Sequence, residues 1–260
     1  MEESYEGFKK EVLQLTKIDL HCYKERQMKR RIDTLIGKNG ISTYTDYIRL
    51  LKTDRDKYEE FINCLTINVS EFWRNPDQWK LLEQSVLPDI LKKTRGKLKV
   101  WSAACSTGDE PYSLVMLLTK FMPLQKIEVL ATDIDKQVIE QAKAGIYSDK
   151  SIKGLPKEFI DKYFEQVGEK SYAISSEIKN RVRFQQHNLL KDDYPSQCDL
   201  IVCRNVMIYF TEEAKTEIYN KFNNALKPGA VLFVGSTEQM VQPKKLGFQA
   251  IHSFFYTKNV

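Results

Sequence analysis

Two acidic residues that follow successive apolar runs are the positions in this sequence best suited to bind a charged ligand. Glu110 lies in residues 98–113, where an apolar run ending at Trp101 is followed by small residues and then by Asp109, Glu110 and Pro111. The pattern predicts a short buried strand, a tight turn and a helix start, because proline and acidic residues favour the first helical turn. These three features form the usual ligand cradle of an open α/β sheet.

The composition of this turn selects among ligands. A dinucleotide fingerprint needs three glycines that place bare backbone against a pyrophosphate, whereas only Gly108 is a glycine here. The acidic rim instead suits a ligand with positive charge, such as an ammonium or a sulfonium. From this stretch alone, a capped helix with no ligand explains the pattern equally well.

The second acid, Asp133, ends the next apolar run, residues 127–133. An acid at the end of the second strand, roughly 20 residues after the glycine turn, is placed to accept hydrogen bonds from ribose hydroxyls. A simple strand-end turn residue is the alternative. Together with the cradle, Asp133 favours a nucleoside-type ligand, while Asp135 is explained as the cap of the helix that follows.

The composition limits the classes of protein that are possible. With 42% hydrophobic and 29% charged residues, the 260-residue chain is typical of a globular protein with a sizeable core. Five cysteines without a Cys-x-x-Cys pair and three scattered histidines indicate reduced thiols and no metal site. No apolar run approaches the roughly 20 residues of a membrane helix and no signal peptide is visible, so we expect a cytoplasmic protein without direct membrane insertion.

Residues 1–70 are predicted to be helical throughout, with no strand signal before residue 96. Helix starts are expected at Ser4 and at Ser42/Thr43. The apolar stripes that define the helices are Phe8, Val12 and Leu15; Met28, Ile32, Leu35 and Ile36; Tyr44, Tyr47, Ile48 and Leu51; and Tyr58, Phe61, Ile62 and Leu65. The expected product is a small helical bundle.

The second of these helices carries a cluster of positive charge. Five basic residues and one acid lie between Lys24 and Arg31, and helical spacing places Arg26, Arg30 and Arg31 away from the apolar stripe. A solvated helix face is the more frequent explanation. The alternative is a docking surface for an acidic partner, either a glutamate-rich helix or a nucleic-acid backbone. Weak aromatic interleaving favours a protein partner slightly.

Strands and helices alternate in the C-terminal half of the chain. An insertion at about 150–182, predicted as a helix and a short hairpin, interrupts the alternation. Asn188, Arg204 and Asn205 follow apolar strands. If the sheet is parallel, these residues converge with the cradle and Asp133 at one edge.

Three polar residues lie where the helical half meets the α/β half. Asn68, Ser70 and Arg74 follow a predicted helix end and precede Pro76. They either line a crevice between the two halves, where binding sites often form, or serve as turn, cap and surface residues. The composition does not separate these interpretations.

Several long motifs carry a resemblance to a known family. They are residues 101–113, 132–135 and 203–210, with the pattern Asn-x-Ser-x-Phe-x-Arg at 68–74. Over essentially the whole chain the sequence resembles the bacterial chemotaxis receptor methyltransferase (CheR) family. The resemblance implies an α/β fold with a Rossmann-like class I S-adenosylmethionine-dependent methyltransferase sheet, an all-α N-terminal domain and a small antiparallel β insertion.

The activity implied by the resemblance is methyl transfer from S-adenosylmethionine to glutamate side chains of chemotaxis receptors. The products are glutamyl methyl esters, which serve sensory adaptation in signal transduction. The implied partners are the receptors' cytoplasmic helices, not nucleic acid, and the expected enzyme is a monomer. The implied organisation is a receptor-docking domain (1–70), a linker (71–95) and a methyltransferase domain (96–260).

The resemblance also implies roles in cofactor binding. Glu110 would bind the methionine ammonium and Asp133 the ribose. Asn188 and Leu189 would contact the adenosine. The residues implied to complete the cofactor pocket are Asn68, Ser70, Arg74, Arg204 and Asn205.

Catalysis and receptor docking are assigned in the same way. The resemblance places Arg74 and Tyr209 nearest the transferred methyl group, as the catalytic residues. It assigns receptor contact to the basic helix, at Arg26, Arg30 and Arg31. The sequence departs from the family in two places: Ser70 stands where threonine is common, and the turn at 167–171 is shorter and poorer in glycine than in members whose insertion binds a receptor tail peptide. The second departure argues against tail-peptide binding.

The chemistry agrees with the residue inventory. A receptor glutamate has an unperturbed pKa of about 4.3 and is ionised at neutral pH, so no catalytic base is required. Two other hypotheses remain. One is methylation of RNA or a small molecule, with the basic helix binding phosphates; the other is a non-catalytic adaptor that docks on acidic helices. A nicotinamide dehydrogenase is disfavoured because the pyrophosphate glycines are missing.

Overall fold

The computed structural model describes residues 4–94 and 96–259. The predicted ranges 1–70, 71–95 and 96–260 also include residues 1–3, 95 and 260, which lie outside the described residues. The chain divides into two compact units: Met1–Asn68 with Ile208–Thr216, and Val69–Met207 with Glu217–Val260. The second unit contains both β-sheets.

The first unit contains helices α1 (Tyr5–Thr16), α2 (Glu25–Lys38), α3 (Tyr44–Thr53) and α4 (Arg55–Thr66), with a 3₁₀ turn at Leu20–Cys22. Ser4, Thr43 and Asp54 each precede a helix, and the side chain of each accepts a hydrogen bond from the backbone N–H three residues on. Such caps contribute about 1 kcal/mol each. Those at Ser4 and Thr43 confirm the predicted helix starts.

The apolar stripes of these helices form the core of the first unit. Val12, Ile32, Tyr47 and Phe61, one from each helix, are fully buried. The rings of Tyr47 and Phe61 meet edge to face, with centroids 5.7 Å apart. The predicted stripes are confirmed, although some of their members are only half-buried: Leu15, Tyr44, Tyr58 and Ile62.

A segment from far along the chain, residues 208–216, completes the first unit. Phe210 makes an isolated antiparallel bridge with Tyr23, and the N–H of Lys24 donates to the carbonyl of Tyr209 at 2.8 Å. The predicted methyltransferase domain, residues 96–260, includes this segment, and that domain boundary stays a prediction. Main-chain pairing holds the segment, and such pairing leaves no mark in a side-chain pattern.

Most of the described residues in the predicted linker, residues 71–95, are helical. It contains α5 (Pro76–Leu81), a π-helical turn (Leu82–Val86) and α6 (Leu87–Lys93). Trp79, Leu82 and Leu87 are fully buried in the core of the second unit. Proline in a first helical turn removes no hydrogen bond, so prolines at the start of α5 and α6 begin these helices without interrupting the chain.

The remaining elements alternate along the second unit. The first group is β1 (Val100–Ala103), α7 (Asp109–Leu118), β2 (Val129–Asp133), α8 (Lys136–Ala144), β3 (Ile146–Ser148), α9 (Asp149–Ile152), α10 (Lys157–Tyr163), β4 (Phe164–Gly168), β5 (Ser171–Ile174) and α11 (Ser176–Lys179). The second group is β6 (Val182–Gln186), β7 (Cys198–Cys203), α12 (Glu212–Ala225), β8 (Leu226–Val234), β9 (Phe248–His252) and β10 (Phe255–Lys258). Short 3₁₀ turns occur at Leu124–Lys126, Met207–Tyr209 and Pro243–Leu246.

The larger sheet has the strand order β6-β2-β1-β7-β8-β10-β9 in the described part of the chain. The first five strands in this order, β6, β2, β1, β7 and β8, are parallel to one another. Strand β10 is antiparallel to both β8 and β9. Every residue of β1 and β7 is buried, as expected of strands covered on both faces. The predicted parallel arrangement is confirmed, so the carboxyl ends of β6, β2, β1, β7 and β8 lie at one edge.

The insertion forms a small antiparallel sheet with the strand order β3-β5-β4. The helix α10 and the hairpin of β4 and β5 match the predicted elements. Strand β3 precedes the predicted start of the insertion and pairs with β5 from Ile146↔Ala173 to Ser148↔Ser171. The predicted fold class, with its small β insertion, is therefore confirmed.

Candidate cofactor site

The loop between β1 and α7 has the backbone of a ligand cradle. Ala104, Ser106 and Gly108 have positive φ angles of 73°, 47° and 90°. The N–H of Ala104 donates to the carbonyl of Thr132 at 2.8 Å, which ties the loop to the end of β2. A Cβ at Gly108 would lie 2.8 Å from the Cβ of Ala142. Glycine is thus required here both by the backbone conformation and by the close approach of α8.

Glu110 lies in the first turn of α7, and its side chain is 13% exposed. Oε1 accepts a hydrogen bond from the Ser102 hydroxyl at 2.8 Å, and Oε2 lies 3.6 Å from Nη1 of Arg204. Burial raises the pKa of Glu110, and the charge of Arg204 opposes that shift. The carboxylate retains acceptor capacity for a cationic group.

Asp133 ends β2 and is 7% exposed. Oδ2 accepts the N–H of Ser106 at 2.8 Å, and Oδ1 accepts the N–H of Asp135 at 3.0 Å. Burial raises the pKa of Asp133 to about 6. Each oxygen has a further lone pair, so the carboxylate can also accept hydrogen bonds from a diol.

Beside Asp133, the buried hydroxyl of Ser106 has no hydrogen-bond partner among the described residues. Buried hydroxyl groups are normally satisfied, so this oxygen fits a site that takes a polar ligand. Asp135 caps α8 by accepting the N–H of Gln137 at 2.8 Å, as predicted.

The loop after β6 contains Asn188 and Leu189, next to the end of β2. Oδ1 of Asn188 accepts the N–H of Leu190 at 2.9 Å, which fixes the side chain against its own loop. The carbonyl of Leu189 accepts the Tyr194 hydroxyl at 2.7 Å, and the Leu189 side chain is 8% exposed. Two hydrogen bonds within the loop thus hold Asn188 and Leu189 in place.

Arg204 follows β7, and its side chain is 2% exposed. Its Nη2 donates to the carbonyl of Arg74 at 2.7 Å, to Oδ1 of Asn75 at 3.1 Å and to Oε1 of Gln78 at 2.9 Å. With Glu110 on its other nitrogen, this guanidinium connects the segment before α5 to the cradle. Its buried Nε has no hydrogen-bond partner among the described residues.

The segment 69–75 contacts the start of α7 through a second acid, Asp109. The Asp109 side chain is buried, accepts a hydrogen bond from the Thr107 hydroxyl at 2.6 Å and is also hydrogen-bonded to Ser70. Burial raises the pKa of Asp109. Arg74 is half-buried, and its Nη1 donates to the Val69 carbonyl at 3.3 Å.

The remaining predicted site residues belong to the first unit. Asn68 donates to the hydroxyl of Thr66 at 3.0 Å. Tyr209 lines a cavity of about 260 Å³ together with Lys24, Gln27, Met28, Arg30, Arg31 and Ile67. Arg74 and Tyr209, the two predicted catalytic residues, thus belong to different units.

The basic helix agrees with its predicted orientation in part. Arg26 and Arg30 are exposed, and Met28 and Ile32 are buried. Arg31 differs, because it is half-buried and its Nη2 donates to the carbonyl of Cys64 at 2.9 Å. This bond joins α2 to α4, so Arg31 has a structural role in addition to its charge.

Sequence reasoning missed one residue at this end of the sheet, Glu238. Its carboxylate accepts three backbone N–H groups, from Asn205 and Met207 at 2.6 Å each and from Gly235 at 2.8 Å. Residues 235–238, small and polar until the final acid, follow the apolar end of β8. That is the same signal that identified the cradle, and it could have drawn attention to this residue.

The fold and the site together define a class of protein. A mostly parallel sheet carries one acid in the helix turn after β1 and another at the end of β2, without the pyrophosphate glycines of a dinucleotide site. This donor set fits a cationic nucleoside such as S-adenosylmethionine, and the architecture is that of a class I S-adenosylmethionine-dependent methyltransferase.

Comparison with known proteins identifies the family. Residues 3–66 match the model described as "CheR methyltransferase, all-alpha domain" and residues 68–255 the model "CheR methyltransferase, SAM binding domain". The chain belongs to the CheR methyltransferase family. It is therefore a methyltransferase that uses S-adenosylmethionine, which confirms the predicted enzyme class and cofactor.

Individual relatives are similar over most of their length. The chain is 42% identical over 258 residues to the chemotaxis protein methyltransferase of Listeria monocytogenes, which covers 99% of this chain and 98% of that protein. It is 34% identical to the chemotaxis protein methyltransferase of Escherichia coli, over 87% and 81% of the two chains. The corresponding protein of Borreliella burgdorferi is 33% identical, over 93% and 89% of the two chains.

In the described part of this chain, no helix is long and apolar enough to cross a bilayer.

Proposed function

We propose that this enzyme methylates glutamate side chains of chemotaxis receptors, forming glutamyl methyl esters for sensory adaptation. The observation on which the proposal depends most is the 42% identity to a chemotaxis protein methyltransferase over 99% of the chain, both domains included. The receptors' cytoplasmic helices are the proposed partners. A cytoplasmic location belongs to the same proposal, and it agrees with five cysteines that are all free thiols.

The cofactor-binding part of the proposal assigns four residues at the carboxyl edge of the sheet. Glu110 would hold the ammonium of the methionine moiety, because its buried carboxylate offers charge and a free lone pair. Asp133 would accept the ribose hydroxyls, with the unsatisfied Ser106 hydroxyl beside it. Asn188 and Leu189 would border the adenosine.

Asn68, Ser70, Arg74, Arg204 and Asn205 are the other proposed cofactor contacts. Among them, Arg204 also interacts with protein groups: its charge opposes the rise in the pKa of Glu110, and it donates a hydrogen bond to the carbonyl of Arg74. Removing it would leave buried acceptors without their donor, which is more costly than losing a surface charge. Arg204 is thus proposed both to shape the pocket and to contact the cofactor.

The proposed chemistry is a single displacement. When bound, S-adenosylmethionine supplies an electrophilic methyl group on a sulfonium. A carboxylate oxygen of the receptor glutamate forms the new bond to the methyl carbon as the carbon–sulfur bond breaks, and the sulfur leaves as a neutral thioether. Because the carboxylate is already ionised, the protein's tasks are positioning and exclusion of water. Arg74 would orient the carboxylate, and Tyr209 is the second proposed catalytic residue.

The proposed receptor contact is the basic surface of the first unit. Arg26 and Arg30 are exposed on α2, and Arg30 and Arg31 border the cavity that Tyr209 also lines. Lys24 adds a third positive charge to that cavity. Such a concentration of cations suits a helix rich in glutamate, and it would raise the rate of encounter at low salt.

The test is a labelling reaction. The protein is incubated with methyl-labelled S-adenosylmethionine and receptor cytoplasmic fragments, and the labelled product is treated with base. A glutamyl ester releases its label as volatile methanol, and fragments whose acceptor glutamates are replaced by alanine should remain unlabelled. Base-stable label, or label on RNA added in parallel, would contradict the proposal.

A further inference from the structure

One buried carboxylate organises the backbone at the ends of two neighbouring strands. Glu238 lies four residues beyond the end of β8 and is 5% exposed. Its Oε2 accepts the N–H groups of Asn205 and Gly235, and its Oε1 accepts the N–H of Met207. Three short bonds to one carboxylate hold the turn after β7 against the turn after β8. Charge-assisted bonds of this kind are stronger than neutral ones.

The turn held by Glu238 is the one that carries Arg204 and Asn205. Asn205 has a φ of 61°, a left-handed conformation that asparagine tolerates but does not favour over helical or extended ones. The hydrogen bond from the Asn205 N–H to Oε2 of Glu238 stabilises this conformation. Arg204, one residue earlier, directs its guanidinium at Glu110 and at the segment before α5.

Close packing leaves this arrangement little freedom. A Cβ on Gly235 would lie 2.4 Å from Oε2 of Glu238 and 2.9 Å from the backbone nitrogen of Asn205. The hydroxyl of Tyr219, on α12, donates to the Glu238 carbonyl at 3.2 Å. The Tyr219 bond thus holds the Glu238 backbone to α12, and Gly235 leaves little space beside the carboxylate.

We propose that Glu238 is a positioning residue for the methyl-transfer site. By accepting the N–H groups of Asn205, Met207 and Gly235, it sets where Arg204 and Asn205 stand at the cofactor pocket. This inference rests on the proposed cofactor contacts of those two residues. Its proposed effect on the reaction passes through the turn that these hydrogen bonds hold.

The conservative substitution Glu238→Gln keeps the volume of the side chain and removes one of its two acceptor oxygens. An amide has one acceptor oxygen and one NH₂ group, which cannot accept a hydrogen bond. In one orientation of the amide, the NH₂ group faces the N–H of Met207; in the other, it faces those of Asn205 and Gly235. In either orientation the NH₂ group of the substituted side chain faces at least one backbone N–H without an acceptor between them, so the turn must shift.

The chain offers a matched control at the other end of the same strand. Asp199, in β7, is also 5% exposed. Its Oδ2 accepts the N–H of Lys99 at 2.8 Å, and its Oδ1 accepts the Lys227 ammonium at 2.7 Å. Asp199 and Arg204 are five residues apart, roughly 17 Å along an extended strand. Asp199→Asn thus removes a comparable buried charge far from the proposed pocket.

The experiment compares the two variants by calorimetric titration with S-adenosylhomocysteine and by thermal unfolding. We expect Glu238→Gln to raise the Kd for S-adenosylhomocysteine at least tenfold. We expect Asp199→Asn to leave that Kd within twofold of wild type while lowering Tm by a similar amount. Gly235→Ala keeps the Glu238 carboxylate but places a methyl group against it, and it should raise the Kd at least threefold. This variant provides the test if Glu238→Gln does not fold.

Two results would overturn the inference. One is an unchanged Kd in a folded Glu238→Gln or Gly235→Ala variant. The other is a loss of affinity in Asp199→Asn that equals the loss in Glu238→Gln at equal Tm, since that would be a general effect of stability. The titration needs no receptor, so a protein that binds S-adenosylhomocysteine normally and fails to methylate receptors would refute only the proposed function. A wild type that binds none would overturn both.

Discussion

Lowering the pH from 7 to 5 should weaken the binding of S-adenosylhomocysteine about tenfold, through Asp133. Burial raises the pKa of this carboxyl to about 6. Its ionised fraction is then about 0.9 at pH 7 and about 0.1 at pH 5, by the ordinary titration relation. The ionised carboxylate can accept two ribose hydroxyls, whereas the protonated form gives up one acceptor site to its own proton. If only the ionised form binds, the affinity falls in proportion, by about 1.4 kcal/mol.

The direction of this effect follows from linkage. Because the ligand selects the ionised form, binding below pH 6 releases a proton, and affinity rises with pH until Asp133 is fully ionised. Above about pH 7 the curve should be flat until the ligand's own amino group titrates. Burial also raises the pKa of Glu110, which would add a slope of the same sign.

The assay is isothermal calorimetry between pH 5 and 8, repeated in two buffers of different ionisation enthalpy. The difference between buffers counts protons, and close to one should be released per ligand bound at pH 5. Asp133→Asn should bind more weakly at pH 7 and lose the Asp133 part of the slope. Any slope that remains in Asp133→Asn should disappear in the double variant Asp133→Asn, Glu110→Gln. A wild-type Kd that is constant from pH 5 to 7, or a full slope retained in Asp133→Asn, would refute the reasoning.

Three further predictions concern separate parts of the molecule. Arg74→Ala should lose most turnover while the Kd for S-adenosylhomocysteine changes less, and equal turnover in this variant and in wild type would defeat the assignment; Lys80→Ala, an exposed cation on α5, is the control. Gly108→Ala should cost about 1–3 kcal/mol in urea unfolding, because its φ is 90° and α8 is close. Arg30→Glu should lower kcat/KM for receptor fragments at low salt and leave the Kd for S-adenosylhomocysteine unchanged. Arg55→Glu, with the same charge change on α4, should leave both quantities unchanged, and equal losses of kcat/KM in the two variants would argue against a specific docking surface.

The sequence alone determined the features that depend on neighbours along the chain. The helix caps at Ser4 and Thr43 are predictable because a cap bonds the backbone three residues on. The cradle is predictable because an apolar run, small residues and acidic residues follow one another directly. The end of β2 at Asp133 has the same local origin. Once the alternation of strands and helices indicated a parallel sheet, the convergence of these sites at one edge followed from topology.

Only the tertiary structure decided how side chains from distant parts of the chain meet. Arg204 donates to the carbonyl of Arg74, 130 residues away, and Asn205 donates to Glu238, 33 residues away. The assignment of residues 208–216 to the first unit has the same origin, since it rests on pairing with Tyr23. Burial, which sets the pKa of Asp133, is likewise a property of the folded surroundings. No local pattern encodes such contacts, because they depend on which surfaces the packed core brings together.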